Sequence, residues 1–80
     1  MDKLNTSDRM TNLFLAIGVY RRKRGYTQEQ LAEKVGISRQ HLAAIESPKM
    51  ARGLSVELLF DLAAALEIEP YLLFKFGMDE

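Results

Sequence analysis

The chain has 80 residues and no cysteine, so it has room for one small core and nothing with which to build a disulfide or a thiolate metal site. Its longest apolar run, near the carboxyl end, is interrupted by Lys75, far short of the roughly 20 residues needed to span a bilayer. With Asp2 and Asp8 near its start the amino terminus does not read as a secretory signal, and a single domain over residues 1–80, in the cytoplasm and off the membrane, is expected. Formal net charge is zero, but residues 1–52 hold ten Lys or Arg against five Asp or Glu, and residues 53–80 hold one against six. Such a split suggests that the first part meets a partner rich in phosphate, the alternative being an accidental division between two solvated faces.

In chain order, the first helix is marked by Met10, Leu13, Phe14, Ile17 and Tyr20, whose three- and four-residue spacing stacks them on one face. Asn5, Thr6 or Ser7 can cap its start, Gly25 closes it, and Gly18 inside it reads as a packing position. Thr27 and Gln30 form the threonine-x-x-glutamine pattern of a capping box, opening a second helix with apolar positions Leu31, Ala32 and Val35 that Gly36 stops after about two turns. Ser38 caps a third helix, whose inner edge is Leu42 and Ile45, and Ile37 plugs the turn between the two. Residues 47–54, with Pro48, Lys49, Arg52 and Gly53, read as a surface loop. Ser55 caps a fourth helix striped by Leu58, Leu59, Leu62, Ala63 and Leu66. Pro70 suits the first turn of a short fifth helix over Tyr71 to Phe76. No strand is needed, so the fold class is all-α.

Two helices of about eight residues joined by a tight glycine turn form a helix-turn-helix, here at about residues 27–46. Ala32 is small where the helices cross, Gly36 lies at the bend, Ile37 follows, and Leu42 and Ile45 turn inward. An ordinary helical corner without a DNA role is the competing reading. The segment RRKRGYTQEQLAEKVGISRQHLAAIE (residues 21–46) resembles the helix-turn-helix of the lambda-repressor-like, Cro-type family of bacterial and phage transcriptional regulators, and LLFDLAAALEIEPYLL (residues 58–73) is similar to that family's fourth and fifth helices. The resemblance implies a compact five-helix domain, commonly a homodimer on a roughly palindromic DNA operator. Two departures stand out: Ser47 and Pro48 follow Glu46 where the family commonly has a glycine, and Glu67 follows Leu66 where it often has another.

The third helix of such a motif lies in the major groove with its amino-terminal residues nearest the bases. With Leu42 and Ile45 inward, Gln40, Ala43, Ala44 and Ser47 face outward and Arg39 and His41 flank them. Arginine can bond two acceptors on guanine, glutamine pairs with the edge of adenine, and alanine offers a methyl to thymine, so Arg39, Gln40 and Ala44 are the expected base readers. Gln28, Ser38, His41, Lys49 and Arg52 are the expected phosphate contacts, set against the plainer readings that Gln28 aids capping and that the loop charges are merely solvated. Arg21 lies four residues after Ile17 on the inward stripe, where an unpaired charge is costly, and the resemblance pairs it with Glu46 in a salt bridge.

The carboxyl end, residues 68–78, carries more apolar surface than a short helix can tuck under one small domain, so Tyr71, Leu72, Phe74 and Phe76 are candidates for dimerisation, the alternative being that they complete the core. An enzyme is not expected: His41 is the sole histidine, and neither it nor the carboxylates have a spacing suited to metal binding or nucleophilic catalysis. No cofactor is expected. The other reading of function is an antitoxin or similar protein-interaction module that also binds its own promoter.

Overall fold

In a computed structural model, residues 6–47 and 53–76 are described, and among them the chain forms five helices. α1 spans Thr6–Lys23, α2 Gln28–Val35, α3 Arg39–Glu46, α4 Val56–Leu66 and α5 Pro70–Phe74. Asn5, Pro48, Lys49, Arg52 and the last residues of the expected dimerisation segment, Gly77 and Met78, lie outside the described residues.

The local signals act where the sequence places them. Thr27 has the extended backbone of a cap, its hydroxyl accepts from the Gln30 amide at 3.0 Å, and the Gln30 side-chain oxygen accepts from the Thr27 amide at 2.8 Å. Ser38 and Ser55 cap α3 and α4 by accepting from the amides of His41 and Leu58. At the bend Gly36 is left-handed, with φ 79°, and the Ile37 amide reaches back to the Ala32 carbonyl at 3.0 Å. This closes α2 and turns the chain sharply enough for α3 to start two residues later, in a backbone state that a Cβ would penalise.

α2 packs on α3 and α4, and α1 runs against α3 and α5. Phe14, Ala16 and Ile17 of α1, Leu31 and Ala32 of α2, Leu42 and Ile45 of α3, and Leu58, Leu59, Leu62, Ala63 and Leu66 of α4 form one core that Leu73 of α5 completes. Ile37, Val35 and Leu54 pack against its margin, Ile37 filling the turn. Each fully buried leucine contributes roughly 1.5–3 kcal/mol of transfer free energy, so the three on α4 and α5, Leu62, Leu66 and Leu73, anchor those two helices to the core.

Two expectations need correction. Met10, expected on the inner stripe of α1, is 46% exposed, while Ala16, outside that expected stripe, is fully buried. An 18-residue helix is about 27 Å long, longer than the partners it packs on, so its first turns pass beyond them. α5 is Pro70–Phe74 rather than Tyr71–Phe76: it starts at the proline, whose missing amide costs nothing at the first position, and Phe76 lies beyond its end, packed against the core margin.

Candidate nucleic-acid interface

α3 is short, and its two faces differ sharply. Leu42 and Ile45 have no exposed surface, whereas Ser38, Arg39 and Gln40 are exposed and Ala43 and Ala44 are half-buried. At 3.6 residues per turn this leaves the amino-terminal end of α3 as a polar, low-relief surface standing clear of the core. The Ser38 hydroxyl oxygen is occupied by its cap, but its own O–H remains able to donate.

Behind this surface lies a connected set of polar side chains. Arg21 is buried on α1, and its Nε donates to Glu46 Oε2 at 2.8 Å, Nη2 to Oε1 at 3.2 Å, and Nη1 to the Tyr26 carbonyl at 2.8 Å. This is a two-point arginine–carboxylate pair joining α1 to the end of α3, with both side chains about one-tenth exposed. Gly18 makes room for it, since a Cβ there would stand 3.2 Å from Glu46 Oε1. Gln28, the first residue of α2, donates from Nε2 to the same Glu46 oxygen at 3.1 Å and accepts at Oε1 from Arg39 Nη1 at 3.2 Å. A chain of contacts therefore runs from the interior pair to the exposed guanidinium of Arg39. Among the described residues no buried side-chain nitrogen or oxygen lacks a hydrogen-bond partner.

The structure thus brings Gln28, Arg39, Glu46 and Arg21 together. Sequence reasoning named all four but did not foresee that Gln28 links the other three; the contacts span 11 and 18 residues and leave no local signal. Gln40 stands apart, exposed, and Ala44 lies one turn further along α3. His41 is half-buried, and its Nε2 lies 2.8 Å from the Gly53 carbonyl oxygen. Lys49 and Arg52 lie outside the described residues.

Of the residues expected to dimerise, Tyr71 and Phe74 are 60% and 54% exposed, whereas Leu72 and Phe76 are half-buried. Val56 and Phe60, four apart on one side of α4, are also exposed and were not anticipated. The four-residue step between the hydrophobics at 56 and 60, off the stripe of Leu58, Leu59 and Leu62, is the signal that marks them.

This geometry is that of a helix-turn-helix, and a helix-turn-helix family profile matches residues 17–73, more than half of the chain. The chain belongs to the Cro/C1-type helix-turn-helix family. Among solved structures, the restriction-modification controller protein C.AhdI from Aeromonas hydrophila is 31% identical with a TM-score of 0.74, the match covering 81% of this chain and 96% of that one. The N-terminal DNA binding domain of SinR from Bacillus subtilis is 26% identical with a TM-score of 0.73, over 86% of this chain and 99% of that one. The clp gene regulator ClgR from C. glutamicum is 25% identical with a TM-score of 0.73, over 90% and 86%. Comparison with curated proteins returns no match. The family is one of non-enzymatic DNA-binding proteins, and this chain is a DNA-binding transcriptional regulator of that class. Among the described residues no helix is long and apolar enough to cross a membrane.

Proposed function

We propose that this chain is a cytoplasmic transcriptional repressor that acts as a homodimer and reads a roughly palindromic operator in double-stranded DNA with α3. The observation that carries the reading is the exposed amino-terminal end of α3, where Arg39 projects from a core-anchored helix and is held from behind by Gln28. A guanidinium restrained in this way loses less freedom on meeting a guanine edge, which favours a base-reading role for it. Gln40 and Ala44 read neighbouring bases. Ser38, the amides at the start of α2, Lys49 and Arg52 bear on the phosphates, and Gln28 serves both the backbone and the orientation of Arg39. The Arg21–Glu46 pair sets the angle between α1 and α3 and fixes the platform on which Gln28 rests.

The dimer is formed through α5, with Tyr71 and Phe74 at its centre. The likeness to C.AhdI favours control of a restriction-modification system as the setting over neutralisation of a toxin. Selection from a random pool of duplex DNA tests the whole reading. The expected product is a short half-site repeated about a dyad with centres about 34 Å apart, one helical turn. A pool with no common sequence, or no retention of duplex DNA at low salt, would refute it.

A further inference from the structure

His41 lies in the first turn of α3, and its ring reaches across twelve residues of sequence to the Gly53 carbonyl. A carbonyl oxygen only accepts, so Nε2 carries the proton in this contact, and the contact is available to the neutral and the charged ring alike. Gly53 is fitted to the ring in two ways. Its φ is +82°, in the left-handed region, and a Cβ at this position would stand 2.5 Å from His41 Nε2 and 3.0 Å from Cδ2. The backbone at Gly53 therefore approaches the imidazole more closely than any other residue type would allow.

The placement matters because the connection from α3 to α4 leaves at Ser47, six residues and so about 9 Å further along the helix axis than His41. Its far end, two residues before the Ser55 cap, is fastened back beside the first turn of α3, next to the face that exposes Arg39 and Gln40. We infer that His41 is a positioning residue for DNA binding: it clasps Gly53, and with it the Ser55-capped start of α4, alongside the first turn of the reading helix, and acts on the duplex by holding these elements in place rather than by touching it. The inference rests on the reading of α3 as the helix that enters the groove, and it assigns the chain's one histidine a role distinct from a phosphate contact.

The test uses the full chain, the operator duplex recovered by selection, and a random-sequence duplex of the same length. Binding is measured for wild type, His41→Ala, His41→Gln, Gly53→Ala and the His41→Ala/Gly53→Ala pair, with thermal melting to verify that each is folded. His41→Ala should weaken both duplexes alike by about three- to tenfold, the scale of one net hydrogen bond. His41→Gln, whose amide nitrogen can stand where Nε2 does, should restore wild-type binding. Gly53→Ala should weaken binding in the wild-type background and do so less once the ring is removed. Additive losses from His41 and Gly53, or wild-type binding by His41→Ala, would overturn the inference. Ring nitrogen chemical shifts of the unmodified protein test it without any variant: a neutral ring protonated on Nδ1 alone would also overturn it. Failure of wild type to bind either duplex would remove the DNA reading itself, and this role with it.

Discussion

Arg39 donates one of its five N–H groups to Gln28, which leaves the others for the base edge proposed as its target. Replacing it with alanine should cost about 1–3 kcal/mol on the selected operator and relax the preference at one base pair. Competition binding against operators altered one position at a time would measure this, and equal losses on operator and random duplex would reassign Arg39 to a phosphate. Glu46 presents a different balance. Its carboxylate is shared by Arg21 and Gln28, so Glu46→Ala leaves a buried guanidinium with only the Tyr26 carbonyl. Breaking such a pair from one side costs about 3–5 kcal/mol, a large share of what a small domain has. Denaturant unfolding should register that loss, and an unchanged midpoint would mean that the pair is bypassed by solvent. Burial predicted that Arg21 needs a partner; that Gln28 would be drawn into the same cluster depends on how α2 lies across α3, which no single residue encodes.

At the scale of the helices, α1, α2 and α4 end alike, with the amide that follows a left-handed residue bonded to the carbonyl five residues back. The first two closures use glycine. In α4 the left-handed position is Glu67, with φ 61° and ψ 42°, where this chain departs from the family pattern. A residue with a Cβ pays about 1–2 kcal/mol there. Arg24, from the end of α1, braces the turn: Nε donates to the Leu66 carbonyl at 2.7 Å and Nη2 to the Glu67 carbonyl at 3.1 Å. Its 3.6 Å approach to the Glu67 carboxylate is largely solvated and adds little. Glu67→Gly should therefore stabilise the fold by about 0.5–1 kcal/mol, raising the melting temperature by about 2–8 °C. A lowered melting temperature would show that the carboxylate contributes more than the strain costs. The caps at Thr27, Ser38 and Ser55 were legible because a cap is a local event, one side chain against an amide three residues away. The Arg24 brace joins elements more than forty residues apart and was not.

For the whole molecule, the basic excess belongs to the part of the chain that holds α1–α3, and the acidic excess to the part that holds α4–α5, where Glu57, Asp61, Glu67 and Glu69 are exposed. On the proposed DNA reading, phosphates would repel those carboxylates and so help to orient a domain whose net charge is zero. The exposed Tyr71 and Phe74 lie on α5, within that acidic part. A dimer through them is expected to come apart when Phe74 becomes glutamate, since two like charges would then be buried at the twofold axis. Sedimentation should show Phe74→Glu as a monomer at concentrations where the wild type is a dimer, with operator affinity reduced and half-site affinity kept. A Phe74→Glu variant that still sediments as a dimer would place the interface elsewhere, with Val56 and Phe60 of α4 the next surface to vary.

By itself the sequence determined the number and type of helices, the caps of α2, α3 and α4, the bend at Gly36 and the inward face of α3, because each follows from the backbone preference of one residue or from a repeat of three to four positions. It also identified which side chains stand at the start of α3. Tertiary structure alone decided that Gln28 bridges Arg39 to the Arg21–Glu46 pair, that His41 meets Gly53, that Met10 lies outside the core, and that only two of the four aromatic and aliphatic residues proposed for dimerisation are well exposed. The physical reason is the same in every case. Helical periodicity specifies a direction around an axis, but the partner found in that direction depends on where the other axes pass, and that is settled only when all five helices share one core.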